Sequence, residues 1–224
     1  MTFGKKAISF FSSLDLNLPP SLHTEVLNPY RNPDVMHCAK QFFAKYFSDP
    51  RKRIFIFGIN PGRFGGGLTG ISFTDPVLLR EKCGIKNSLG NKKELSSEFI
   101  YKVIDALGGP KTFYRHFFIS AICPLGFVKG STNYNYYDDR KLLEAVTPFI
   151  RKTWKQQFDI GAKPEALIVV GAGKNASFIE QLNGETGLFK QVIALDHPRF
   201  IMQYRRKKLD EYVQNYAETL SRFL

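Results

Sequence analysis

Cysteine is scarce in this sequence of 224 residues, with three in all. Cys38, Cys83 and Cys123 lie far apart and form no C-x-x-C pair. That argues against a disulfide framework and against a zinc or iron–sulfur site, so no metal and no cofactor are expected. It also points to a reducing compartment, with a cytoplasmic or nucleoid-associated location expected. No run approaches the ~20 apolar residues of a membrane helix, so no membrane partner is expected. The opening stretch has Lys5-Lys6 and apolar residues, but Asp15 and the serines interrupt it, which argues against a signal peptide. The nucleotide-binding patterns G-x-x-x-x-G-K-[ST] and helix-opening G-x-G-x-x-G are missing too. Acidic residues are few, 20 against 32 Lys and Arg.

That imbalance gives a formal net charge of +12, which favours a polyanionic partner. The basic residues come in small groups: Lys5-Lys6, Arg51-Lys52-Arg53, Lys92-Lys93 and Arg205-Arg206-Lys207-Lys208. Each group alone reads as a solvated face; together they point to nucleic acid. A composition 43% hydrophobic and 23% charged can bury a full core. The length fits one domain over 1–224, with two small domains as the alternative.

The richest stretch is Ile54–Phe73. Ile54-Phe55-Ile56-Phe57 is a short apolar run ending at Gly58, the pattern of a buried strand meeting a turn. Asn60 follows between Ile59 and Pro61. Gly62, Gly65, Gly66, Gly67 and Gly70 come next. A glycine-dense loop at the carboxyl end of a buried strand is where open α/β sheets place ligands. Missing Cβ atoms would let backbone N–H groups approach a flat or anionic ligand. A flexible surface loop is the plainer reading.

Residues 1–33 read as an extended or loosely helical N-terminal arm punctuated by prolines. Asn32-Pro33 opens a helix that runs to about Phe47, and His37 near its start reads as structural. Ser97–Leu107 is amphipathic and helical. Phe117–Ile122 is a second buried strand, stopped by Cys123-Pro124. Asp138–Phe158 is helical, with Pro148 as a cap or a bend. Ala166–Val170 and Gln191–Leu195 are further strands, separated by a helix over Lys174–Leu182. A last helix carries Leu209, Tyr212, Val213, Tyr216, Leu220 and Phe223 on one stripe. Short, unalternating apolar strands between helices predict an α/β fold: three layers, α/β/α, around a central, mainly parallel four-stranded sheet. The carboxyl ends of parallel strands share one edge. That edge would collect Asn60, Pro124, Gly171–Gly173 and His197-Pro198.

These segments resemble the uracil-DNA glycosylase superfamily, most closely its single-strand-selective monofunctional (SMUG-type) branch. Gly58-Ile59-Asn60-Pro61-Gly62, continuing through Phe64-Gly65, Thr69-Gly70 and Phe73, is similar to the family's first motif. Cys123-Pro124-Leu125, Val169–Gly173 and His197-Pro198 resemble three later ones. The likeness covers roughly residues 54–198 and omits the arm.

The resemblance implies a monofunctional DNA glycosylase of base-excision repair, acting as a monomer on single- or double-stranded DNA. Asn60 is then the residue that holds the attacking water, and His197 the donor to the departing base. Phe73 stacks on the extruded base, and backbone N–H groups of Ile59 and its neighbours help hold the base anion. Read singly, Asn60 fits a left-handed turn, His197 a buried structural histidine and Phe73 a core ring. Pro61, Gly62, Arg63, Pro198, Arg199, Phe200, Arg205 and Arg206 fall where such an enzyme meets DNA. Arg199, Phe200 or Met202 would fill the gap left by the base.

The chain departs from the pattern where the family carries a base-reading Asn: the position here is Ala121, preceded by Ser120. Base reading then falls to Ser120, to backbone or to water. The expected substrates widen to uracil, hydroxymethyluracil or xanthine. Two readings compete: a non-catalytic DNA-binding relative of the same fold, and a nucleotide- or phosphate-binding α/β enzyme.

Overall fold

The computed structural model describes residues 1–224. In chain order it has α1 (Phe3–Ser12), β1 (Glu25–Leu27), α2 (Pro33–Tyr46), β2 (Arg53–Gly58) and the short helices α3 (Gly66–Thr69) and α4 (Pro76–Glu81). Then come α5 (Leu95–Ala106), α6 (Gly109–His116), β3 (Phe117–Ala121), β4 (Gly126–Lys129) and β5 (Thr132–Tyr134). The remainder is α7 (Arg140–Gly161), β6 (Ala162–Val170), α8 (Lys174–Thr186), β7 (Val192–Leu195), α9 (Pro198–Tyr204) and α10 (Leu209–Ser221).

The main sheet has the order β3-β2-β6-β7, and every pair is parallel. This is the three-layer architecture expected. Strand β2 lies at the centre and all six of its residues are buried. Its side chains alternate between faces. Phe55 and Phe57 meet Phe3 of α1 and Trp154 of α7. Ile56 turns the other way, toward Ile100 and Val103 of α5 and Leu220 of α10. A second sheet was not expected: β1, β4 and β5 form a small antiparallel one.

Helix starts follow side-chain capping. Asn32 accepts from the N–H groups of Asp34 and Val35, Asp75 from Val77 and Leu78, and Asp139 from Lys141 and Leu142. Each satisfies donors that a helix leaves free at its first turn. Pro148 neither caps nor ends a helix; it lies on the exposed side of α7, which continues through it. No helix is long and apolar enough to cross a membrane.

Two sequence expectations need correction. Residues 1–33 are not an extended arm. Phe3, Ala7, Phe10 and Phe11 of α1 are buried, and the Phe3 ring packs on Phe47, Phe55 and Phe118. Arg53 does not belong to a solvated basic face either. It is fully buried, with its guanidinium 4.7 and 4.8 Å from the Phe3 and Phe47 ring centroids. It donates to both carboxylate oxygens of Asp49, at 3.1 and 3.0 Å. A buried charge persists only where it is paired and bonded in this way.

Phe3 therefore behaves as core. Phe3→Ala is expected to lower the unfolding free energy by about 3–5 kcal/mol in urea titration, as for other buried aromatic truncations. A residue on a dispensable arm would change it by about 0.5 kcal/mol or less.

Candidate active site

The carboxyl edge of the main sheet opens into a cleft of about 350 Å³. Asn60 reaches it from the end of β2, Ser120 and Ala121 from β3, Gly171 from β6 and His197 from β7. Phe73 enters from the loop after α3. The amide, the imidazole and the phenyl ring thus share one cavity, as the converging strand ends predict.

Asn60 is held at both ends of its amide. Its Nδ2 donates to the Tyr134 carbonyl at 3.0 Å, and its Oδ1 accepts from the Tyr136 N–H at 3.0 Å. These partners fix which end is oxygen and which is nitrogen. One Oδ1 lone pair and one Nδ2 hydrogen remain for a guest. Tyr136 is itself anchored: it is fully buried and its hydroxyl donates to Asn175 Oδ1 at 3.1 Å.

His197 caps α9. Its Nδ1 accepts from the Arg199 N–H at 3.1 Å. In the neutral ring the proton is then on Nε2, which becomes the donor. Burial, and then the charge of Arg199, pushes the His197 pKa down from 6.5 to about 4. Neutral pH therefore finds an uncharged imidazole with one N–H to give.

The Phe73 backbone has φ of 50°, a left-handed conformation that costs an aromatic residue energy. The segment before it is locked by buried Thr69, whose hydroxyl accepts from the Ile71 N–H at 3.1 Å and donates to the Thr74 carbonyl at 2.6 Å. The ring rests on Gly58, where a Cβ would come within 2.9 Å of two ring carbons. Phe73 and His197 have ring centroids 6.2 Å apart, inclined by 56°.

Part of the glycine loop is closed on itself. Its N–H groups at Gly67, Leu68, Thr69 and Gly70 are used by carbonyls of Gly62, Gly65 and Gly66. Several glycines are there for packing. A Cβ at Gly67 would lie 2.4 Å from the Gly62 carbonyl oxygen, and one at Gly65 would overlap the Glu94 carboxylate.

Ser120 also needs correction. Its hydroxyl gives its one proton to Gln157 Oε1, and Gln157 Nε2 donates to the Ala121 carbonyl at 3.1 Å. A base at the end of β3 meets no side-chain donor from Ser120 or from Ala121. Ile59 lines the cleft, and its carbonyl accepts from the Cys123 N–H at 3.2 Å.

Of the residues expected to meet DNA, Pro61, Gly62, Arg199 and Phe200 line the cleft. Pro198 is buried in the first turn of α9. Arg63 packs on Phe64 and Arg205 on Phe200, with guanidinium-to-ring distances of 5.1 and 5.2 Å. Arg206 is exposed in the turn before α10. Met202 is buried and cannot act as a wedge, whereas Phe200 and Tyr204 are 39% and 69% exposed. Sequence reading missed Tyr204, Glu94 and the edge formed by Asn133, Tyr134 and Asn135. Gly130-Ser131 between Val128-Lys129 and Thr132-Asn133 was an available hairpin signal.

The sequence profile described as the Uracil DNA glycosylase superfamily matches residues 44–221. The chain belongs to the uracil DNA glycosylase superfamily. Within that superfamily, the crystal structure of wild-type Pedobacter heparinus SMUG2 is similar at 41% sequence identity and a TM-score of 0.95, covering 99% of this chain and 97% of that one. The single-strand selective monofunctional uracil-DNA glycosylases of Rattus norvegicus and Mus musculus are each 28% identical over 109 residues, 41% of this chain. The matched region spans 39% of the length of each of those two relatives.

The neutral His197 of this superfamily member carries a pH signature. The unfolded ring binds a proton below about 6.5, whereas the folded one resists until about 4. Stability from this group is present above the unfolded pKa and is lost as pH falls through that window. Denaturation curves from pH 7 to 4.5 should lose more stability in the parent than in His197→Asn. Nitrogen NMR should find Nε2 protonated and Nδ1 bare throughout. Equal pH slopes in the two proteins, or a ring titrating near 6.5, would contradict the assignment.

Proposed function

We propose that this protein is a monofunctional DNA glycosylase that hydrolyses the N-glycosidic bond of an extruded, deaminated base. The observation that carries this reading is the doubly held amide of Asn60 in the same cleft as a neutral, donor-bearing His197 and the Phe73 ring. Cleavage passes through a cationic, oxocarbenium-like sugar and a departing base anion, by analogy with sugar hydrolysis. A cationic sugar needs only a weak nucleophile. Asn60 has no useful basicity, but its fixed amide can orient a water for attack. His197 Nε2–H meets charge growing on the base oxygen. A donor set in advance this way contributes about 2.7–4 kcal/mol. Phe73 supplies a stacking face, worth roughly 1–3 kcal/mol per base. Extrusion costs a few kcal/mol in a duplex and less in a single strand.

Water as nucleophile is supported by the cleft lining, which includes no lysine. The substrate range follows from the end of β3. Ala121 offers no amide and the Ser120 proton is taken by Gln157, so selection rests on backbone and shape. We assign uracil, hydroxymethyluracil and xanthine as substrates on that basis. We further propose action as a monomer in a cytoplasmic or nucleoid setting, supported by three buried, unpaired cysteines. The non-catalytic reading draws on the same Ala121.

Labelled oligonucleotides carrying uracil, hydroxymethyluracil, xanthine or hypoxanthine, followed by alkaline cleavage, separate these readings. Breaks at uracil and xanthine are expected; binding without breaks at any lesion would favour the non-catalytic relative. His197→Ala should lower the single-turnover rate by about 10²–10³. Asn60→Ala should abolish detectable excision while DNA affinity is retained. Ala121→Asn restores an amide to the end of β3 and should raise the uracil-to-xanthine rate ratio. An unchanged ratio would remove Ala121 from the specificity argument.

A further inference from the structure

The main sheet has a second edge, at the amino ends of its strands, and the chemistry described so far leaves it unused. A groove of about 720 Å³ opens there, between the end of α2, the turn before β2, and α6. Its lining includes Lys45, Arg51, Lys111, Arg115 and His116. The four Lys and Arg side chains are exposed, and none of them belongs to any ion pair of the molecule. The groove's only carboxylate, Asp49, is engaged by the buried Arg53. His116 registers the local field: burial, then Lys163, Arg115, Arg51 and Arg53, hold its pKa below the usual value. The Lys45 ammonium is held by the Cys83 carbonyl, which leaves Arg51, Lys111 and Arg115 as three unengaged cations on a surface that attracts polyanions.

The groove is remote from the catalytic cleft. The six residues of β2 separate the two edges, about 20 Å at roughly 3.3 Å per residue. We propose that this amino-edge groove binds the phosphate backbone of a second nucleic-acid segment, so that the protein holds two segments at once. This rests on the reading of the carboxyl-edge cleft as a DNA site. The charges are spread over separate exposed side chains and do not converge on one buried point. Such an array gives little to a single phosphate but gains from each successive phosphate of a polymer through counterion release. A protein with two such poles can pass from one DNA segment to another without first dissociating.

The test counts oligonucleotides. Titration of the parent with a fluorescent single-stranded 20-mer, followed by anisotropy and by native mass measurement, should show two bound per protein. Charge reversal at R51E/K111E/R115E should weaken the second event by about tenfold or more and lower the salt slope of binding by about 2. The neutral set R51Q/K111Q/R115Q, which removes the charges without reversing them, should shift both in the same direction by less. Excision of uracil from a short oligonucleotide should be unchanged in both variants. A parent that binds only one oligonucleotide, or variants that take up the second with parental affinity, overturns the proposal. Excision is scored separately, so a failure of the catalytic reading leaves the count of two standing.

Discussion

The two hydrogen bonds that fix the Asn60 amide are the constraint on which the rest of the site depends. An amide offers a donor at one end and an acceptor at the other, and a half-turn exchanges them. Here Tyr134 and Tyr136 remove that freedom, because a carbonyl faces Nδ2 and an N–H faces Oδ1. Both partners come from the strand and turn of the small antiparallel sheet, while Asn60 comes from the end of the main one. The geometry of the site is therefore a docking of two sheets. The glycines enforce that docking. A Cβ at Gly126 would stand 2.3 Å from the Pro61 carbonyl oxygen, so β4 can lie against the Asn60 turn only without a side chain there. The second anchor runs deeper, from Tyr136 through its hydroxyl to buried Asn175 on α8.

The electrostatics around this amide run against the charge of the whole chain. A net charge of +12 draws DNA in. Burial, and then the charge of Arg199, keeps His197 uncharged. A neutral donor gains more as negative charge develops on its acceptor than it gives to a neutral ground state, which is the requirement for acceleration. Protonation would also put a hydrogen on Nδ1 and break the cap on α9. Glu94 is the counterpart, a carboxylate in a cleft read as a DNA site. Burial, with the nearby charge of Asp75, raises its pKa against the opposing pull of Ser97 and Arg199. The shift favours the uncharged acid, the form that least repels a phosphate.

What could be read from the sequence divides along sequence separation. The strands β2, β3, β6 and β7 and the longer helices were legible because each signal is local: an apolar run, a cap, a stripe. Asn60 and His197 were legible because parallel strands bring their carboxyl ends together whatever lies between, and Phe73 because it closes the motif that begins at Gly58. The clamp on Asn60 was not, since its partners lie 74 and 76 residues away, in a strand of three residues and the turn that follows it. Arg53 shows the opposite failure. Between Lys52 and the strand it looks like one more surface cation. Only the fold brings Asp49, Phe3 and Phe47 around it. The α1 stripe of Phe3, Ala7, Phe10 and Phe11 has helical spacing, but Pro19, Pro20, Pro29 and Pro33 punctuate the same stretch and mask it. Ser120 was placed at the right strand end, but its hydroxyl is spent on Gln157, a partner 37 residues away.

One consequence joins recognition to chemistry. His197 is the cap of α9, and Phe200 and Tyr204 lie one turn apart on that same helix, both exposed at the rim of the cleft. Their rings are 5.7 Å apart, and Arg205 stacks on Phe200. Side chains at i and i+4 are neighbours on one helix face, so the two rings keep a fixed place relative to the cap. Pro198 at the first helical position stiffens the junction. On the glycosylase reading, the side chains that fill the space vacated by a base and the donor that meets that base are one rigid element. Insertion at the rim would then deliver the base to a His197 N–H already held in place by the cap on α9. On that reading the arrangement would favour an extruded nucleotide before any contact reads the identity of the base, and a loosened reading at Ala121 would be compatible with discrimination against ordinary stacked DNA.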